Sequence, residues 1–72
     1  MASYDRNDLF PPALVRKAKQ IMDATPAHKQ AAALDEQIIA AEMPRINKLT
    51  HQENSSRYCA YMLQYLISSG KL

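Results

Sequence analysis

The chain is poor in the residues that small folds often rely on. It has one glycine, one cysteine and no tryptophan in 72 residues. A lone cysteine, Cys59, excludes an internal disulfide. Its neighbours are apolar, which suits a reduced, buried thiol in a reducing compartment. With Gly70 the single glycine and Val15 the single valine, little is present of what sheets and tight hairpins need. No apolar run approaches the roughly 20 residues that span a bilayer. The first residues, Met-Ala-Ser-Tyr-Asp-Arg, carry an early acid and lack the apolar core of a signal peptide. The expected location is therefore the cytoplasm of the producing or infected cell.

Chemistry-bearing patterns are equally sparse. There is no nucleophile motif and no glycine-rich phosphate loop. His28, His51 and Cys59 are the soft metal ligands, and none is paired at the short spacing of a structural zinc site. On one helix His51 and Cys59 stand about 12 Å apart in rise, too far for a nucleophile–base pair. A chain this short with one glycine also has little means of building a concave pocket. These absences predict no enzyme, no metal, no cofactor and no small-molecule substrate.

What the chain has is alanine and helical periodicity. Residues 1–10 read as a flexible N-terminal arm ending in Leu9-Phe10, and residues 11–72 as a single helical domain. Asn7 and Asp8 are good N-cap residues, and Pro11-Pro12 fit a first helical turn. Leu14, Val15, Ala18, Ile21 and Met22 form an amphipathic stripe, which predicts a helix over 12–24. Thr25 is a candidate N-cap and Pro26 a first helical residue for a long second helix reaching about Leu49. In that helix Leu34, Ile38 and Ala41, with Ala31 above them, share one face. Ile39, Met43 and Ile46 share a neighbouring face. Pro44 removes a backbone hydrogen bond and predicts a kink. Thr50-His51-Gln52-Glu53 matches a capping box for a third helix, and Asn54-Ser55-Ser56 offers a rival start. Gly70 suits the left-handed residue that closes it, with Lys71 at the negative end of the dipole. The fold class is all-α: a small three-helix domain, helix 2 kinked near Pro44, helix 3 central and apolar.

The third helix carries the most telling pattern. At about 100° per residue, Tyr58, Tyr61 and Tyr65 lie on one side, with Met62 and Leu66 beside them. Cys59, Leu63 and Ile67 continue round. A strip through Ala60, Gln64 and Ser68 alone is small or polar. The apolar arc is about twice the roughly 100° that a surface helix needs. Packing on both other helices is one explanation. A contact surface is the other, because tyrosine is enriched at interface cores. Tyr58, Tyr61, Met62 and Tyr65 are thus the candidate protein-binding residues, for a protein partner or a second copy of the chain.

Arg16, Lys17 and Lys19, with Lys29 nearby, form the densest basic cluster. They are candidates for contact with nucleic acid or an acidic partner. A solvated helix face explains them as well, and so does charge complementarity with Asp35, Glu36 and Glu42, between neighbouring helices or between subunits. No aromatic residues interleave with these bases as a single-strand stacking platform prefers.

The stretch from Ser55-Ser56-Arg57 through Leu66-Ile67-Ser68-Ser69-Gly70-Lys71-Leu72 resembles the recognition helix of a winged helix-turn-helix, which often ends in a leucine, a few residues, glycine and an apolar residue. The resemblance spans under a third of the chain. It implies DNA binding, but the strands of a wing have no counterpart, and a groove-reading helix presents polar side chains to bases. The leading expectation is a small regulator, inhibitor or assembly factor without enzymatic activity, of the size and character of phage and mobile-element accessory proteins. A DNA-binding regulator using the basic first helix is the runner-up.

Overall fold

A computed structural model describes residues 6–72 of the chain. They form α1 (Arg6–Leu9), α2 (Pro12–Asp23), α3 (Ala27–Leu34), a π-helical stretch (Asp35–Ile39), α4 (Ala40–Thr50) and α5 (Ser56–Ser68). The protein is all-α, and the described residues hold no strand. α3, the π stretch and α4 run on without a gap, so the architecture is three packed helices with α1 as a short lead-in.

α2 begins as its prolines dictate. Pro11 is the N-cap in extended conformation and Pro12 follows at the first helical position, where a missing N–H costs nothing. Neither Asn7 nor Asp8 caps it; both lie inside α1. α2 buries Leu14, Val15, Ala18 and Met22 and leaves Ile21 at the core's margin. Thr25 does not cap the next helix as expected. Its hydroxyl donates back to the Ile21 carbonyl at 2.6 Å, so it closes α2, and Pro26 takes the N-cap position of α3.

The long helix resolves a conflict visible in its sequence. Ala31, Leu34 and Ile38 are buried, and so are Ile39, Ile46 and Thr50. On a regular helix Leu34 and Ile46 are twelve positions apart, which leaves them about 120° out of phase. The π stretch takes up one extra residue per turn. Its closing bond runs from the Ala40 N–H to the Asp35 carbonyl, five residues back. Subtracting one residue brings Leu34 and Ile46 to within about 20°. Both stripes then face one core. The same correction turns Ala41 outward, and it is exposed, against the expectation that it shares the face of Leu34. α4 runs unbroken through Pro44 to Thr50, so no break supports the expected kink there. The departure from α geometry lies upstream, at Asp35–Ile39.

The capping box does not form. Thr50 is the last residue of α4, and His51 follows in the left-handed region (φ 59°). The Thr50 hydroxyl accepts from the Asn54 side-chain amide at 2.8 Å. The Asn54 backbone N–H donates to the Asn47 side-chain oxygen at 2.8 Å. These bonds fold residues 51–55 into a tight connection. The rival start is the one used: Ser55 caps α5, its Oγ accepting from the Tyr58 N–H at 2.9 Å. The other end closes as a Schellman motif. The Gly70 N–H bonds the Ile67 carbonyl (3.1 Å) and the Lys71 N–H bonds the Leu66 carbonyl (2.9 Å), with Gly70 at φ +78°.

The chain expected as an arm over residues 1–10 is anchored at its end. Leu9 and Phe10 are buried, and Phe10 is among the largest fully enclosed side chains. Burying two such groups stabilises by about 1.5–3 kcal/mol each. The Arg45 guanidinium donates to the Asp8 and Leu9 carbonyls, the free acceptors at the end of α1. Residues 1–5 lie outside the described residues.

Candidate functional site

α5 has two faces of opposite character. Cys59, Ala60, Leu63 and Leu66 are buried, and Met62 and Ile67 pack at the core's edge. Ala60, expected on the small or polar strip, is fully enclosed. Its single methyl lets α5 approach its neighbours closely. Leu66, expected beside the tyrosines, also turns inward. Tyr58, Tyr61 and Tyr65 retain 58%, 56% and 60% of their exposure. They sit about 160–220° from Leu63 on a helical wheel. α5 is therefore one of three mutually packed helices rather than an enclosed centre, and its tyrosines point away from the core.

A polar chain fixes the rotation of α5. The Gln64 amide donates to the Ala27 carbonyl (3.1 Å) and to Gln30 Oε1 (2.9 Å). The Gln30 amide in turn donates to the Met22 and Thr25 carbonyls (2.9 and 3.1 Å), at the end of α2. At the other end Arg57 pairs with Asp35 at 3.2 Å, joining α5 to the π stretch. These ties reach α5 from its flanks and leave the tyrosine side clear. Beyond the last turn the Schellman closure turns the chain back, and Lys71 Nζ lies 5.6 Å from the Tyr65 ring centroid, within cation–π range.

The basic residues separate into two groups. Arg16, Lys17, Lys19 and Lys29 are all exposed. The two ion pairs among the described residues, Arg45–Glu42 at 2.8 Å and Arg57–Asp35, leave these four out. The expected complementarity between α2 and the acids of the long helix is thus not made within the chain: Asp35 and Glu42 take arginines elsewhere. Arg16 and Lys19 flank an open concavity of about 310 Å³. Its floor is Phe10, Pro12, Val15 and Leu72, and Lys71 completes the rim. Lys17 and Lys29 do not line it. Lys71 and Leu72 escaped sequence reasoning because they lie far from Arg16 in the chain, and Phe10 because it read as the end of an arm. Only the Gly70 turn brings residues 71–72 back against α2.

Cys59 is buried and unpaired by any disulfide, and burial pushes its thiol pKa up from the usual range. Among the described residues no three His, Cys, Asp or Glu side chains gather as metal ligands, and no helix is long and apolar enough to cross a membrane. Comparison of the chain with protein-family models, curated proteins and solved structures gives no significant match.

Proposed function

We propose that this chain is a small non-enzymatic interaction module, a regulator, inhibitor or assembly factor, that binds a protein partner or its own twin through Tyr58, Tyr61 and Tyr65. One observation carries this reading: three tyrosines, each more than half exposed, share the face of α5 that folding leaves unused. Tyrosine brings large contact area at small entropic cost and is enriched where binding energy concentrates. Met62 borders the patch and adds a soft apolar edge. The test is affinity capture from the native host, with Tyr61→Ala/Tyr65→Ala as control, alongside light scattering of both proteins. The wild type is expected to retain a partner or self-associate, and the variant to lose it. Equal capture of one partner by both proteins would rule out the tyrosine face.

A second reading draws on the exposed bases of α2, which make no ion pair within the described chain. Contact with nucleic acid through Arg16, Lys17 and Lys19 predicts salt-sensitive retention on duplex DNA, lost in the triple alanine variant. Unchanged duplex migration at low salt removes this reading.

A further inference from the structure

We infer that the concavity between α2 and the turn after α5 is a socket for an acidic peptide segment, one that buries a large apolar side chain between carboxylates. This rests on the reading of the chain as an interaction module and adds a second contact, with stated chemistry, beside the tyrosine face.

The floor and the rim differ in kind. Exposed Pro12 and half-buried Leu72 supply the accessible apolar base, and the buried Phe10 and Val15 side chains back it from the core. Arg16, Lys19 and Lys71 are exposed cations around it, and none of the seven lining residues is acidic. Arg16 and Lys19 are three positions apart on α2, so their charges repel weakly across one turn. Lys71 arrives from the other end of the chain and adds a third like charge. Asp35 holds Arg57 and Glu42 holds Arg45, and Asp23, one turn along α2 from Lys19, makes no ion pair with it. Charge complementarity therefore asks for an anionic occupant, and the floor asks for an apolar one. A volume of about 310 Å³ lies at the small end of ligand sites and suits one or two side chains of a peptide.

A phosphate backbone meets the rim but not the floor. The rings that would stack bases, Tyr58, Tyr61 and Tyr65, do not line this opening. A second copy docking through its tyrosine face fits poorly too: α5 holds no acid, its Arg57 is already paired with Asp35, and Lys71 adds a like charge to the rim. Lys71 links the two surfaces, since it lies over Tyr65 and also lines the socket. A partner seated on the tyrosines can thus continue into the socket with an acidic segment.

The test uses the full chain labelled with nitrogen-15 and a short peptide carrying a central Leu-Phe pair between two Asp-Glu pairs. Titration is expected to shift the amides of Val15, Arg16, Lys71 and Leu72. Replacing the peptide's acids by their amides, or its Leu-Phe by Ser-Ser, is expected to weaken binding by about tenfold or more, and Arg16→Ala/Lys19→Ala likewise. These two side chains are exposed, so the variant is expected to keep its fold, and the peptide-side changes leave the protein untouched. Absence of shifts at about 1 mM peptide, where even a weak site fills, overturns the inference. Binding that ignores the Leu-Phe replacement also overturns it, as does a short DNA duplex that shifts the same amides at lower concentration. Tyr58→Ala/Tyr61→Ala, which leaves Tyr65 and its contact with Lys71 in place, is expected to hold peptide affinity within about twofold. Loss of peptide binding in that variant moves the site to the tyrosines, sinking the socket and sparing the proposed function. The proposed function fails separately, if host capture is indifferent to the tyrosines.

Discussion

α2 and α5 meet the same core and show solvent different things. Inward, both are ordinary: α2 buries Leu14, Val15, Ala18 and Met22, and α5 buries Cys59, Ala60, Leu63 and Leu66. Outward, α2 carries Arg16, Lys17 and Lys19, and α5 carries Tyr58, Tyr61 and Tyr65. Packing dictates the inward faces. It is indifferent to the outward ones, where cations would keep either helix soluble. The proposed interaction gives the aromatic choice on α5 a reason, whereas the cations of α2 are accounted for as a solvated face except at the proposed socket. Folding and function can be separated on these two helices by substitution.

The comparison depends on one core shared by both helices, and the largest effect is expected from disturbing that. An alanine inserted between Glu36 and Gln37 rotates Ile46 and Thr50 by about 100° from the core. Calorimetry should then show no cooperative transition. Deleting exposed Gln37 instead converts the π stretch toward a regular helix and keeps Leu34 and Ile46 in phase. That protein should still unfold cooperatively. If deletion and insertion are equally damaging, the phase argument is wrong.

Next come the inward faces themselves. Leu63→Ala and Leu14→Ala should each cost about 2–5 kcal/mol in urea unfolding, by lost burial and the cavity left behind. In a domain of this size either loss takes most of the stability. A cost under about 1 kcal/mol for either would mean that its helix is not held as described.

These inward faces were largely legible in the sequence. The stripe Leu14–Met22 and the residues Cys59 and Leu63 follow from helical period alone, and Gly70 marked its own turn. What escaped was whatever depended on another part of the chain. Leu9 and Phe10 looked like the end of an arm because their pocket is built by distant residues and by Arg45. The long helix showed two faces, but the π stretch that merges them is set by the packing of both stripes on one core. Thr50-His51-Gln52-Glu53 carried the letters of a capping box. The bonds of Asn47 and Asn54 to each other and to Thr50 won over it. The tyrosines were legible as a group, but their direction was not: the wheel alone leaves open which side the core takes. The rim of the socket was half visible, in Arg16 and Lys19, and the half supplied by Lys71 required the fold.

A smaller effect is expected at the turn that joins the two helices' outward surfaces. A Cβ added at Gly70 meets nothing within 4 Å, so Gly70→Ala pays only for the left-handed backbone, about 1–2 kcal/mol. Because the turn aims Lys71 and Leu72, the same variant should perturb the amides lining the socket more than those of α3. Smaller still is the response of the outward faces. Tyr58→Ala, Tyr61→Ala and Lys17→Ala should each change stability by no more than about 0.5 kcal/mol. Partner capture should fall for the tyrosines alone. A tyrosine variant that unfolds the protein would return that face to the core.

The finest distinction lies in titration. α5 buries a titratable group on its inward face, Cys59, and α2 buries none. Burial raises the Cys59 pKa in the folded state, because desolvation disfavours the thiolate. The folded chain thus holds its proton where the unfolded chain releases it. Linkage gives the sign: this contribution is fully present below the unfolded thiol's pKa and is lost as pH rises through the folded one. Unfolding measured at rising alkaline pH should show stability falling, with part of the fall absent in Cys59→Ala. The two proteins differ only at residue 59, so the difference between the two slopes isolates Cys59. Parallel slopes would show that the thiol is as hydrated in the folded chain as in the unfolded one, and that the inward face of α5 is looser than that of α2.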